Sequence, residues 1–201
     1  MIKAICFDLD GVYFTSESFK RFKANLPKIE TDEDKINFVL YKSDEMAKFK
    51  KGEINEEDFW NFARKELGIE VDNEGIFACL RDSYEVNSDV QDYVRKVREK
   101  GYMSCACSNN FVTRIRELNK KFNFLKDFDF TVFSYEEGVV KPDKKIFESL
   151  VKKSGVEANE IVYSDDDASR LEGAIELGIQ AFVYENFDQF TDKLLELGVS
   201  L

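Results

Sequence analysis

The sequence predicts an α/β fold in which a parallel β-sheet is covered by helices on both faces, with a small all-α domain inserted after the first strand. Three observations lead to this prediction. Residues 2–7 form a short apolar run that has the length of a buried strand rather than of a helix. A charge-rich stretch with helical periodicity follows, and the rest of the chain alternates between strand and helix patterns, which is typical of parallel sheets.

Length and charge narrow the classes of function. The chain has 201 residues, which is enough for one sizeable core and a small second domain. Its 29 basic and 40 acidic residues give a formal charge of −11, which argues against non-specific binding to nucleic acid or to anionic membranes. No run is long enough to span a bilayer and no apolar leader opens the chain, so we expect a cytoplasmic protein. The oligomeric state is left open.

Cysteine and histidine content constrain the chemistry further. The sequence contains no His, which excludes every nucleophile that depends on an imidazole base. Buried structural thiols are the favoured interpretation of the four cysteines, because the Cys-Ala-Cys pair has no second cluster to complete a zinc site. A redox or zinc site is the alternative. The cysteines are Cys6, Cys79, Cys105 and Cys107.

The charge-rich stretch carries its apolar residues at helical spacing. We expect a helical domain over residues 15–85, inserted into an α/β core domain formed by residues 1–14 and 86–201. Thr31 and Asn55 each precede a run of acidic residues, which suits a helix N-terminus. Four aromatic residues in or near the insertion are more typical of core packing than of a pocket: Tyr13, Phe14, Phe49 and Trp60.

Strands and helices alternate through the second half of the chain. Strands are predicted over residues 102–107, 130–133, 161–164 and 180–184. Helices are predicted from residue 88 to Gly101, around residues 112–122 and 146–151, and over 168–177 and 188–197. Ligands of such sheets bind outside the carboxyl ends of the strands, so the residues that follow each strand are the candidates for a site.

Two carboxylates, Asp8 and Asp10, follow the first strand and are separated by one residue. Side chains alternate along an extended chain, so both carboxylates point the same way if that geometry continues past Phe7. Two like charges so placed repel each other, and a divalent cation or a shared proton would offset the repulsion. The alternative is that Asp10-Gly11 is simply a turn.

The other strand ends carry complementary groups. Ser108-Asn109-Asn110 follows the second strand, Lys141 lies in the loop beyond the third, and Asp165-Asp166-Asp167 follows the fourth. Each group also has a structural alternative: a helix cap for the serine, a solvated surface lysine, and an acidic helix N-terminus for the aspartates. Their joint occurrence at one edge of the sheet favours a single site.

Several carboxylates, one lysine and one serine, without His, suit chemistry on a phosphate group with Mg²⁺. In this scheme Asp8 attacks phosphorus and forms an aspartyl-phosphate. Asp10 protonates the leaving oxygen and later deprotonates the attacking water, while Lys141 and Ser108 hold the non-bridging oxygens.

These motifs, in this order, resemble those of the haloacid dehalogenase-like (HAD) superfamily of phosphohydrolases, in particular the group with a helical cap inserted after the first strand. The resemblance covers nearly the whole chain and lies in Asp8-Leu9-Asp10-Gly11-Val12, Ser108, Lys141 before Pro142, and Asp165-Asp166. It implies a Rossmann-like sheet, dependence on Mg²⁺, and hydrolysis of a small phosphorylated metabolite.

The resemblance also implies a role for each matching residue. Asp8 matches the nucleophile and Asp10 the acid/base. Dehalogenases of the family lack a carboxylate at the position of Asp10, so the resemblance disfavours dehalogenation as the activity. The phosphate-binding positions correspond to Ser108, Asn109 and Lys141. The metal-binding positions correspond to Asp8, Asp10 through its backbone carbonyl, Asp165 and Asp166.

The fourth motif departs from the family pattern in three places, at Ser164, Asp167 and Arg170. An arginine at position 170 either pairs with an aspartate and weakens metal binding or holds the aspartate in place. Two other functions therefore stay open: a sugar phosphomutase of the same family, and a non-catalytic binding or regulatory protein with this fold. A phospho-accepting receiver domain is disfavoured by the length of the chain and the large helical insertion.

Overall fold

A computed structural model describes residues 1–27 and 32–200, and its centre is a five-stranded, fully parallel sheet. The strands lie in the order β3-β2-β1-β4-β5, so the sheet grows outward in both directions from β1. The predicted α/β fold is confirmed. Ligands of such sheets bind where the strand order reverses, and here that point lies beside β1. The strands are β1 (Ala4–Phe7), β2 (Met103–Ser108), β3 (Phe130–Phe133), β4 (Ile161–Asp165) and β5 (Gln180–Val183).

Helices cover both faces of the sheet, and the part of the chain between β1 and the next core helix is helical, as predicted. None of the helices in the described ranges is long and apolar enough to cross a membrane. The insertion contains α1 (Glu17–Asn25), α2 (Glu33–Asn37), α3 (Asp44–Lys50), α4 (Glu56–Leu67) and α5 (Asn73–Ser83). The core contains α6 (Ser88–Glu99), α7 (Val112–Phe122), α8 (Ser134–Glu137), α9 (Lys144–Ser154), α10 (Glu172–Glu176) and α11 (Phe187–Glu196).

Local sequence accounts for where several helices begin. The side chain of Asn55 accepts a hydrogen bond of 2.9 Å from the backbone N–H of Asp58 and caps α4. Gly68 ends the same helix with φ at +61°, a conformation that glycine adopts without steric cost. Asp32 caps α2 in the same manner as Asn55, whereas the predicted contribution of Thr31 lies outside the described residues.

The predicted helix over residues 168–177 is wrong in its first half. A 3₁₀ turn, Ala168–Arg170, precedes the short helix α10. The carboxylate of Asp167 accepts hydrogen bonds from the backbone N–H and the hydroxyl of Ser169, and these local bonds compete with the helical pattern. β3 has the predicted boundaries, and the other strands differ from the predicted ones by one or two residues at one or both ends, for example at Ala4 rather than Ile2.

Three cysteines lie on one face of the sheet, against α9 and α10. Cys6, Cys105 and Cys107 are completely buried and carry free thiols. This agrees with the structural interpretation of these cysteines. Cys79 is half-buried on α5.

The opposite face of the sheet shares one apolar cluster with the helical insertion. Ile5 and Phe7 of β1 belong to the same cluster as Trp60 of α4. Phe111, just before α7, lies 5.1 Å from the Phe49 ring and 6.3 Å from the Trp60 ring, measured between centroids. The four aromatic residues expected to be core are all buried. Because this cluster is continuous, domain boundaries near residues 14 and 85 stay a prediction.

A buried carboxylate fixes the insertion to the core. Glu117 of α7 has a completely buried side chain and accepts hydrogen bonds from Arg81 of α5, Arg116 and Lys120. Burial opposes its ionised form, but the hydrogen bonds from Lys120, Arg116 and Arg81 outweigh burial and lower the pKa of Glu117 to about 2 from 4.5. The folded-state pKa is thus the lower one, so this cluster stabilises the fold above pH 4.5 and loses that effect as the pH falls toward 2.

We therefore expect Glu117→Gln to lower the free energy of unfolding by about 2–3 kcal/mol at neutral pH, and by less as the pH falls below about 4.5. Urea unfolding at neutral pH and at about pH 3.5 measures this. The exposed Glu148 on α9 provides the control, and Glu148→Gln should change stability by less than about 0.5 kcal/mol at both values. An equal loss at both pH values in Glu117→Gln would contradict the electrostatic explanation.

Candidate active site

A cavity of about 200 Å³ opens at the carboxyl edge of the sheet, between the strand ends and the helical insertion. Four carboxylates line it, from Asp8, Asp10, Asp166 and Asp167. The basic residues at its wall are Lys50, Arg114 and Arg170, and the insertion adds apolar and aromatic surface from Phe19, Leu40 and Tyr41. Ser108 and Asn109 also line the cavity, so most of the predicted site residues meet here.

Asp8 lies directly after β1 and is 5% exposed. Its backbone N–H donates a 3.0 Å hydrogen bond to the Ser164 carbonyl, which continues the β1–β4 pairing. Burial raises the pKa of the Asp8 carboxyl to about 7, against the opposing effect of Lys141 and with a further rise from Asp165. A cation beside this carboxylate favours its ionised form.

Lys141 supplies such a cation from within the protein. Its Nζ lies 2.8 Å from Asp8 Oδ1 and 2.6 Å from Asp165 Oδ2, and it also donates to the Cys107 carbonyl and to the Tyr163 hydroxyl. The residue is 3% exposed. Burial disfavours its charge, but Asp8 and Asp165 outweigh burial and raise the pKa of Lys141. The alternative of a solvated surface lysine is therefore wrong.

The two carboxylates that pair with Lys141 are joined by a third, that of Asp166. Oxygens of Asp8, Asp165 and Asp166 lie within 4.8 Å of one another. Asp165 is fixed further by hydrogen bonds from the Tyr163 hydroxyl and the Asp167 backbone N–H. Partial desolvation, with the negative charges of Asp165 and Asp10, raises the pKa of Asp166 to about 6. Three hard oxygen donors so close together fit a divalent cation such as Mg²⁺.

Gly11 permits this convergence. A Cβ atom at this position would lie 2.1 Å from Asp166 Oδ2, and the backbone has φ at +80°. Any other residue would displace Asp166 from the cluster and strain the backbone. The glycine that could have marked a simple turn therefore also makes room for a carboxylate from the far end of the chain.

The side chain of Asp10 lies outside the three-carboxylate cluster. Arg114 Nη2 lies 2.8 Å from Asp10 Oδ2, and the Tyr84 hydroxyl donates a 3.3 Å hydrogen bond to Oδ1. Arg114 is itself held by Asn110 and by the Tyr84 hydroxyl. Asp10 is thus positioned by the core helix α7 and by the end of the insertion.

Ser108 and Asn109 end β2 at the base of the cavity. Ser108 is 1% exposed, and its hydroxyl accepts a 3.4 Å hydrogen bond from the Asn110 amide. No side chain caps the start of α7, so the helix-cap interpretation of Ser108 is wrong. The Asn109 side chain accepts from the Lys141 backbone N–H at 2.7 Å and donates to its carbonyl at 3.1 Å, which holds the lysine loop against the strand end.

Arg170 pairs with Asp167. Its Nε donates to Asp167 Oδ2 at 3.1 Å, and its Nη2 donates to the Tyr41 hydroxyl at 3.4 Å. Asp167 is not a member of the three-carboxylate cluster. The arginine therefore takes no carboxylate away from that cluster.

Two cations that line the cavity, Arg114 and Lys50, were not predicted, and neither was Tyr84, which contacts Asp10 and Arg114. Arg114 follows Ser108 by six positions within an ordinary amphipathic pattern, where an arginine normally faces solvent. Lys50 lies in a lysine-rich run, which is typical of an exposed helix face. The only sequence signal for Arg114 is its distance from a predicted strand end, and that signal is weak.

A parallel sheet whose switch point holds clustered carboxylates and a buried lysine, with a helical insertion after the first strand, defines the haloacid dehalogenase-like class of folds. The family model described as haloacid dehalogenase-like hydrolase matches residues 2–178. The chain belongs to this family.

Individual relatives agree with this assignment. The D-ribitol-5-phosphate phosphatase of Bacteroides thetaiotaomicron is 27% identical over 210 residues, covering 96% of this chain and 97% of the relative. Flavin mononucleotide hydrolase 1 of Arabidopsis thaliana is 26% identical over 155 residues. A crystal structure of a HAD family enzyme from B. thetaiotaomicron, in complex with magnesium and inorganic phosphate, superposes with a TM-score of 0.77 at 23% identity, over 94% of this chain and 99% of that one.

Some relatives are considerably longer than the matched region. The match with the Arabidopsis protein covers 76% of this chain and 62% of the relative, and that with an uncharacterized protein of Dictyostelium discoideum covers 75% and 66%. The chain thus spans less than two thirds of the length of these curated relatives.

Proposed function

We propose that the protein is a Mg²⁺-dependent phosphatase that hydrolyses a small phosphorylated metabolite through an aspartyl-phosphate on Asp8. The observation that carries this proposal is the close approach of the Asp8, Asp165 and Asp166 carboxylates, two of which, Asp8 and Asp165, also pair with the ammonium group of Lys141. The cavity of about 200 Å³ is smaller than most ligand pockets, which favours a small substrate. The names of two relatives, a D-ribitol-5-phosphate phosphatase and a flavin mononucleotide hydrolase, support the reaction class.

Asp8, Asp165 and Asp166 would hold the metal ion, and the backbone carbonyl of Asp10 is a further candidate ligand. When bound, Mg²⁺ supplies positive charge that offsets the repulsion between the Asp8 carboxylate and the anionic phosphate. Lys141 holds Asp8 Oδ1 and so leaves Oδ2 as the oxygen that attacks.

The chain's own residues account for the two halves of the reaction. Asp8 forms a bond to phosphorus while the bond between phosphorus and the ester oxygen breaks, and Asp10 gives that oxygen a proton. Asp10 then removes a proton from water, which attacks phosphorus and releases phosphate from Asp8. Ser108 and the backbone of Asn109 would bind the non-bridging oxygens of the phosphate, a role supported by the position of both residues in the cavity lining.

Arg114 and Tyr84 are positioning residues for this chemistry. Their contacts with both oxygens of Asp10 fix the direction of the carboxylate. Holding a reacting group within a narrow range of orientations lowers the entropic part of the barrier.

Removing the metal tests the proposal. We expect phosphate release from a panel of small phosphomonoesters, including D-ribitol 5-phosphate and flavin mononucleotide, to fall by a factor of at least about 100 in excess EDTA and to return with Mg²⁺. Malachite-green detection of phosphate measures this. A non-catalytic role is supported instead if no substrate releases phosphate with Mg²⁺. Isomerisation of a sugar phosphate without release would support a phosphomutase.

The free, buried thiols of Cys6, Cys105 and Cys107 also fit the reducing conditions of the cytoplasm, which we propose as the location of the protein.

A further inference from the structure

The cavity lining carries three positive charges, one from the insertion and two from the core segment of the chain. Lys50, at the end of α3, lines the cavity together with Arg114 and Arg170. We call these three residues the cationic wall. Arg114 is committed to Asp10, and Arg170 is partly committed to Asp167.

Lys50 differs from both arginines because no carboxylate of the described chain lies within ion-pair distance of its ammonium group. Its side-chain contact is the Tyr41 ring, whose centroid lies 4.6 Å from Nζ. Burial, followed by the positive charges of Arg114 and Arg170, lowers the pKa of Lys50 to about 8. A half-buried ammonium without an ion-pair partner, in the field of two other cations, is unfavourable unless an anion binds beside it.

We propose that the substrate carries a second anionic group, a carboxylate or a second phosphate, and that Lys50, assisted by Arg170, binds this group. The inference rests on the proposed phosphatase function and names its substrate class: short phosphomonoesters that end in an acid. Lys50 and Arg170 also line a neighbouring cavity with Tyr41 and Asn109, so both can reach a group that extends away from the phosphate.

A matched pair of ligands tests this directly. 3-Phosphoglycerate and glycerol 3-phosphate differ in having a carboxylate or a hydroxymethyl group at the same end. With Mg²⁺ present, we expect the inactive Asp8→Asn variant to bind 3-phosphoglycerate at least about tenfold more tightly in isothermal titration calorimetry, the effect of one charge-assisted contact. Propane-1,3-diol bisphosphate provides the second arm, and preference for it over 3-phosphoglycerate would identify the second anion as a phosphate.

Lys50→Met in the same background should reduce this preference by a factor of about ten or more, and Lys50→Arg should restore part of it. The matched control is Lys48→Met, because Lys48 is an exposed lysine of the same helix and is absent from the cavity lining. The control should leave both affinities unchanged. Lys50→Gln serves as a second charge-removing variant if Lys50→Met does not fold.

The pH dependence of the active enzyme provides an independent measurement. The pH dependence of kcat/KM reports the pKa values of groups in the free enzyme. In the ratio of kcat/KM for 3-phosphoglycerate to kcat/KM for glycerol 3-phosphate, the titration of groups that both reactions share cancels. Arg114, Arg170, Asp10 and the Tyr41 ring surround Lys50, and the arginines stay charged. We expect the ratio to fall as the pH rises through about 8, where Lys50 loses its proton.

The inference would be overturned if Asp8→Asn bound the two ligands with equal affinity. It would also be overturned if Lys50→Met lowered the affinities for both ligands by the same factor. The second outcome would assign Lys50 to the transferred phosphate instead. Absence of Mg²⁺-dependent phosphate release would overturn the proposed function alone, since the affinities are measured without turnover.

Discussion

Asp8→Asn should reduce phosphate release by a factor on the order of 10⁴ or more, as the loss of a nucleophile does in other enzymes. The amide cannot form the acyl-phosphate bond, whereas its oxygen can still accept the hydrogen bond from Lys141 that Asp8 Oδ1 accepts at 2.8 Å. We expect stability to change by no more than about 1 kcal/mol, because the variant removes a charge that burial already disfavours. Phosphate release and thermal unfolding measure the two effects.

The matched control for Asp8→Asn is Asp192→Asn, because Asp192 is an exposed aspartate on α11. Full activity is expected in the control. If Asp8→Asn retained activity in a correctly folded protein, Asp8 would not be the nucleophile, and another carboxylate of the cluster would have to take its place.

Lys141→Met should have the largest combined effect on stability and activity. It removes the cation between two buried carboxylates. It also removes the hydrogen bonds that Lys141 donates to the Cys107 carbonyl and to the Tyr163 hydroxyl. Breaking a buried ion pair from one side costs about 3–5 kcal/mol. Loss of a positive group at a developing charge lowers kcat by a factor of about 10²–10³.

Urea unfolding in the presence of EDTA isolates the structural part of this effect, and steady-state kinetics with Mg²⁺ measure the catalytic part. Lys152→Met on α9 replaces an exposed lysine and should change neither quantity. Wild-type stability in Lys141→Met would mean that Asp8 and Asp165 are neutralised in another way, and that the lysine is not the element that holds them together.

The fold and the centre of the site could be predicted because both depend on local patterns. Asp8 directly follows one strand and Asp165 ends another, and parallel strands bring such positions to one edge whatever the intervening sequence. Lys141 was found by its place in a loop between a strand and a helix. Its burial between two carboxylates could not be inferred, since the same pattern describes a surface lysine.

The parts that were missed depend on packing between distant segments. Arg114 contacts Asp10 because α5 ends with Tyr84 against α7, a contact across 30 positions of the chain. The error in the first half of the predicted helix over residues 168–177 has a local cause instead. The hydrogen bonds that Asp167 makes with Ser169 outweigh the apolar periodicity.

The apolar cluster shared by the sheet and the insertion limits how this protein can be altered. Phe111 belongs to the core segment of the chain, yet its ring packs against rings of the insertion. A chimera that replaced the inserted helices with those of another family member would leave this ring facing surfaces of a different shape. Substrate range in this chain is therefore better changed one side chain at a time than by transplanting the inserted unit, unless position 111 is exchanged along with it.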